Sequence, residues 1–300
     1  MRSAAAVASS PEARRNRSAV APAVACGALG ARSELTRSAY GGRTSSQRVE
    51  VATVGVQVQR SVQRFFTDWG WLDSRHCFSF GRHYDPANIG FGLLVVSNED
   101  RVLPDTGFDT HGHRDMEIIT WVLSGSLVHQ DSQGHSGVIY PGLAQRMSAG
   151  TGILHSEKND AWRLDHSAAA GEPVHFVQMW VAPDTAELRP SYEQCDVSAE
   201  LARGDLVTVA SGRPGRDSAI RIAQQGASLH AAQLIGDGAV AVPDAAFAHL
   251  FVARGSVRLE GTGDLAAGDA ARITDAQGQR VVAGPEGAEL LIWQMDSALF

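Results

Sequence analysis

Lysine is almost missing from this 300-residue chain, Lys158 being the only one, so the basic side chains are nearly all arginine. That bias reads as a GC-rich coding sequence rather than as function. Cysteine is scarce too: Cys26, Cys77 and Cys195 are odd in number, widely spaced and without a Cys-x-x-Cys pair, which excludes a disulfide framework and leaves free thiols in a reducing compartment as the expectation. No apolar run approaches the length that spans a bilayer, so the chain reads as soluble and cytoplasmic, with no membrane partner. A surplus of positive charge is lacking as well. The net charge of -7 argues against direct nucleic-acid binding, because such proteins need a basic face to displace counterions from phosphates. Residues 1–48 lack aspartate, phenylalanine and tryptophan altogether and hold eight arginines against Glu12 and Glu34, so they cannot build a core. A disordered tail is expected there. A targeting segment is the alternative, with Arg14-Arg15 ahead of the alanine-rich run Ser18 to Ala31 broken by Pro22. A lipid-modified Cys26 lacks the leucine expected before it.

What is present is 44% hydrophobic content, enough for one large core or two modest ones. From Val49 onward the chain reads as short strands between turns, with alternation at Val54–Val58, Gly92–Val96 and His175–Val181. The expected class is all-β. Evenly spaced short strands punctuated by Gly and Pro favour a barrel or jelly roll, whose closure protects strand edges. A weak internal repeat argues for two such barrels in tandem: Val122–Val128 is echoed by Val252–Arg258, and Pro141–Ala144 by Ala267–Ala270. The second copy lacks the first one's polar residues. Beyond residue 200 only His230 and His249 remain, and neither sits in a His-x-His or His-x-Glu pair.

The chemistry concentrates between Phe108 and Glu157, where two alternating pairs, His111-Gly-His113 and His155-Ser-Glu157, flank a glycine-punctuated β-like stretch. On a strand, residues i and i+2 point to one face about 6 to 7 Å apart, so each pair can grip one ion from one side. A lone His-x-His is more often ordinary strand polarity; the second pair changes the balance. Three imidazoles and one carboxylate suit a divalent first-row transition metal, and four protein ligands on an octahedral ion leave positions for water, a substrate oxygen or dioxygen. Glu117 has the parity of His111 and His113 and could reach the ion or orient a ligand from outside it. His129, His135, His166 and His175 read individually as surface or hydrogen-bonded structural histidines, His175 being the most notable. Phe108, Trp121, Met147, Phe176, Gln178 and Trp180 could line a slot for a flat aromatic molecule, although packing is the commoner job of such residues.

Strand, glycine turn, strand, and Tyr140-Pro141-Gly142 before a histidine is the order of the two motifs of the cupin superfamily. The chain resembles bacterial pirins more closely still, the two-domain cupins that include quercetin dioxygenases. The resemblance rests on Gly70–His76, Asn98–Val102, Thr110–Ile118, Met147–Glu157 and Val177–Val181. It implies a bicupin: a metal-binding cupin (pirin) domain over residues 49–185 and a degenerate cupin without ligands over 186–300. It further implies one metal, Fe(II) first among Fe, Ni, Cu, Mn and Zn, on His111, His113, His155 and Glu157. Many other cupins take their carboxylate from the place of Glu117, which the pirin likeness puts outside the ligand set. One departure is Gly112, where pirins have proline between the histidines; glycine holds a strand less firmly.

Two functions follow from this resemblance. One is a dioxygenase that opens the heterocycle of a flavonol-like phenol with O2 and loss of carbon monoxide, Glu157 serving as ligand and base. The other is a non-enzymatic, redox-sensing regulator docking onto a transcription factor or metabolic enzyme. Oxygen uptake with quercetin discriminates them. A monomer is expected.

Overall fold

The computed structural model describes residues 55–161 and 171–299. The readings of residues 1–48, Cys26 and His166 lie outside them. The chain begins with β1 (Gly55–Gln59), β2 (Phe65–Asp68), β3 (Leu72–His76), β4 (Leu94–Val102), β5 (Gly107–His113) and β6 (Glu117–Ser124). It continues with β7 (Leu127–Asp131), β8 (Ser136–Ile139), β9 (Leu143–Ser148), β10 (Ile153–Lys158), β11 (Val174–Val181) and β12 (Ser191–Asp196). The second half holds β13 (Val207–Ser211), β14 (Ile220–Arg221), β15 (Ala227–Leu234) and β16 (Ala239–Ala241). It ends with β17 (Ala245–Leu259), β18 (Gly263–Ala266), β19 (Ala270–Ala276) and β20 (Arg280–Met295). The all-β expectation holds.

In the first half a seven-stranded sheet, β12-β9-β6-β11-β4-β3-β2, faces a four-stranded sheet, β5-β10-β7-β8. The second half is a nine-stranded sheet in which β17 and β20, of 15 and 16 residues, form the long central pair. Register shifts at Val252/Arg254 and Gly255/Val257 bulge β17, and such bulges bend a strand and let one sheet curl toward a barrel. The pairing crosses the expected domain limits. β1 pairs with β19 in the second half's sheet, and β12 pairs with β9 at the edge of the first half's.

The internal repeat is visible in the backbone. Gly125 (φ 73°) and Gly255 (φ 69°) share the left-handed conformation, and a Cβ at Gly255 would meet the Gly287 carbonyl oxygen. Only glycine suits that combination.

β6 explains why periodicity under-reports the core. Seven of its eight residues are buried, because it is covered on both faces. Val122 packs inside the first barrel with Phe176, Leu127 and Leu143. Ile119, Trp121 and Leu123 point the other way, into a shared core with Phe251, Leu291 and Trp293 of the second half. Burying those side chains stabilises the contact by roughly 1.5–3 kcal/mol each. The Trp121 indole also donates to Glu289 across it at 2.7 Å. Of the cysteines, Cys77 is a buried free thiol, as expected.

Candidate metal centre

Among the described residues β5 has β10 as its one neighbouring strand, and the pair brings the two motifs together in register. His155 lies opposite His111, Ile153 opposite His113, and a bulge between His155 and Glu157 shifts the next pairing to Phe108. The imidazoles of His111, His113 and His155 pack with ring centroids 4.5, 4.8 and 4.9 Å apart. Their ligand atoms fall within 4.8 Å of one another. Gly112 sits in regular strand opposite Leu154, without a positive φ.

The proton assignment follows from the partners. The Nδ1 of His111 is 2.8 Å from the Asp109 carbonyl, an acceptor only, so Nδ1 carries the hydrogen and Nε2 is left as a lone pair. The Nδ1 of His155 is 3.4 Å from the Nδ1 of His129, whose Nε2 is 3.3 Å from the Asp131 carboxylate. The carboxylate can only accept, so His129 donates to it through Nε2–H and accepts from His155 Nδ1–H. His155 Nε2 is therefore a lone pair too. It faces the Nε2 of His111 at 3.1 Å, and the Nε2 of His113 is buried with no hydrogen-bond partner among the described residues. Two lone pairs facing each other, beside a third ring nitrogen without a partner, repel unless a cation sits between them. The donor chemistry therefore fits a divalent transition metal. Burial, reinforced by its neighbours His155 and His111, holds the pKa of His113 down at about 4; burial with His111 and His129 beside it brings His155 to about 3. Both imidazoles are neutral at pH 7, the form a metal needs.

Glu157 is 2% exposed, opposite His129 on β7. The side-chain amide of Gln178 donates to both of its oxygens, at 3.0 and 2.9 Å, and Thr120 Oγ1 is 3.4 Å away. Its carboxylate groups with His155 and His129 within 4.8 Å, a cluster that overlaps the triad through His155 alone. Glu117 is not brought to the centre. Its carboxylate accepts from Ser148 Oγ at 2.8 Å and from the Ala223 backbone N–H at 3.0 Å, tying the first half to the second. The Nε2 of His175 lies 2.8 Å from Glu99, whose acidity burial opposes but His175 and Arg64 increase, to a pKa of about 2. That ion pair lies apart from the cluster.

A cavity of about 440 Å³ opens onto His111, His113 and Glu157, within the usual size for small-molecule sites. Two aromatic rows line it. Trp69, Trp71 and Phe108 lead to His111 with centroids 6.0, 5.4 and 6.3 Å apart. Phe80 and Trp180 lead to His113 at 5.5 and 4.9 Å. Of the residues proposed to line a slot, Phe108, Gln178 and Trp180 do so; Trp121, Met147 and Phe176 are packed in the cores. The sequence reading missed the pair His129–Asp131, which shares one strand face at i, i+2, and the cavity residues of β2 to β4, which carry no motif.

The description Pirin matches residues 55–181. A Mycobacterium tuberculosis protein named "Putative quercetin 2,3-dioxygenase" is 56% identical over 247 residues, 82% of this chain and 98% of its own. An Escherichia coli quercetin 2,3-dioxygenase is 42% identical over 139 residues, 46% of this chain and 57% of its own. The crystal structure of the E. coli bacterial pirin YhhW in complex with nickel(II) superimposes with a TM-score of 0.69 at 30% identity, covering 81% of this chain and 100% of that one. With its two β-barrel halves, its histidine cluster and a relative of such identity over nearly its whole length, this chain belongs to the pirin family of bicupins.

Proposed function

We propose that this chain is a metal-dependent dioxygenase that oxidises a flavonol-like phenol with O2. His111, His113, His155 and Glu157 hold one divalent transition metal, Fe(II) in first place and Ni, Cu, Mn or Zn as alternatives. The observation that carries this reading is the 3.1 Å approach of two imidazole lone pairs beside a third orphaned imidazole nitrogen, at the end of an aromatic cavity. When bound, the metal supplies Lewis acidity and a coordination position for oxygen ligands.

The chain's own residues do the rest. Trp71, Phe108, Phe80 and Trp180 hold a planar ring between them and keep water out. Glu157, aimed by the Gln178 amide, takes the proton of the substrate hydroxyl onto a carboxylate oxygen. Gln178 is itself fixed, its side-chain oxygen accepting from the Trp180 indole at 3.0 Å. The half over residues 186–300 serves as the packing partner, since both clusters able to hold an ion among the described residues lie in the first half.

The test is oxygen consumption by metal-loaded protein given quercetin. Uptake that depends on His111, His113 and His155 supports the reading. No uptake, together with metal-redox-dependent capture of a protein partner, supports the regulator instead.

A further inference from the structure

Asp100 and the adjacent Glu99 are neighbouring buried carboxyls on β4 with opposite circumstances. Glu99 faces away from the cavity and is paired with Arg64 and His175. Asp100 lines the cavity, 4% exposed, and makes no ion pair within 4.0 Å among the described residues. The one hydrogen bond to it there comes from Ser74, which lies directly opposite on β3 and donates to Oδ1. Ser74 lines the cavity as well. Among the other polar groups on these walls, His76 is engaged with Thr67 at 3.1 Å, and Gln178 with Glu157 and Trp180. A buried carboxyl left without its full complement of partners costs free energy, unless a ligand completes it.

We propose that Ser74 and Asp100 form a second anchoring point, on the sheet facing the imidazoles, for a ring hydroxyl of a planar polyphenol whose other end lies at the histidine cluster. The proposal rests on the phenol-oxidising reading above and specifies its substrate class. An aromatic-walled pocket fixes a ligand's orientation through a few placed polar groups, and on this sheet the Ser74–Asp100 pair keeps acceptor capacity to do so. A phenolic hydroxyl matches the carboxyl in either protonation state: it donates to the carboxylate and accepts from the acid. Both states are accessible near neutrality. Burial pushes the Asp100 pKa up to about 7, with the charges of Glu157 and Glu99 adding to it and the Ser74 hydrogen bond and Arg64 opposing. A flavonol bearing hydroxyls on both ends would bridge the two sites. One bearing only the hydroxyl at the cluster would leave Asp100 unanswered.

The experiment titrates the full chain, metal-free and metal-loaded, with quercetin and with 3-hydroxyflavone, following quenching of tryptophan fluorescence, since Trp71 and Trp180 line the cavity. The wild type should bind quercetin about 10-fold or more tightly than 3-hydroxyflavone, the worth of a hydrogen bond to a charged group. Asp100→Ala should abolish that preference and Ser74→Ala should reduce it, while 3-hydroxyflavone, with nothing to place there, binds all three proteins alike. A wild type without the preference, or variants that lose both ligands equally, would overturn the subsite. Absence of oxygen uptake with either flavonol, the binding preference persisting, would remove the dioxygenase reading and leave the subsite standing.

Discussion

Replacing His129 tests whether the proton assignment around His155 matters for metal binding. In the structure His129 bridges Asp131 and His155, accepting the His155 Nδ1–H at 3.4 Å while Asp131 fixes its own tautomer at 3.3 Å. His129→Phe keeps a ring in tilted contact with Tyr192, 4.9 Å away, yet removes the acceptor. His155 is then free to carry its hydrogen on Nε2, the atom that should meet the metal. Outer partners of this kind are worth about 10- to 100-fold in affinity, or about 1.4–2.7 kcal/mol. His129→Gln retains an acceptor oxygen and should recover most of that loss. The assay is competition with a chromophoric chelator for the metal, with thermal unfolding of the metal-free proteins as the control for folding. Equal metal affinity in wild type and His129→Phe would refute the argument that the Asp131–His129 pair sets the His155 tautomer.

Glu157→Gln should weaken metal binding and nearly abolish turnover even at saturating metal, because a neutral amide is a poorer ligand and a negligible base; metal content and oxygen uptake read both. Glu117→Gln should keep the metal and instead lower the unfolding midpoint, by roughly 1–3 kcal/mol of stability, since it weakens charged acceptance from Ser148 and Ala223; an emptied site in this variant would contradict its placement. His249 is fully buried with no partner for either ring nitrogen among the described residues, and burial first, with Arg272 and Arg64 next, depresses its pKa to about 3. The unfolded chain thus binds a proton below pH 6.5 that the folded one refuses, and stability falls as pH drops from about 6.5 toward 3. His249→Leu should flatten that acid-side loss in urea titrations of metal-free protein at several pH values; an unchanged slope would mean that His249 is not its source.

Much of the fold and of the centre was legible because both depend on period-two spacing. His111-x-His113 and His155-x-Glu157 announce themselves locally, and Gly125 in the β6–β7 turn and Gly255 at the bulge inside β17 share a left-handed backbone. What escaped depends on which strands meet. Glu117 shares the parity of the ligands, but its strand belongs to the other sheet, where Ser148 and Ala223 claim the carboxylate. His129 is a hydrogen-bonded histidine, as expected, but that its partner is His155 follows only from β7 lying beside β10. β1 and β12 exchange sides of the expected domain limits through long-range pairing that no local pattern encodes. Trp121 reads as a pocket residue by type; only the two-sided burial of β6 sends it to the interface with the second half.

The central claim is tested most directly by elemental analysis of the full chain purified without added metal, beside the variant His111→Ala/His155→Ala. The account predicts up to one equivalent of one transition metal per wild-type chain and none in the variant. Metal retained by the variant, or two tightly bound equivalents in the wild type, would contradict a single centre built on His111, His113, His155 and Glu157.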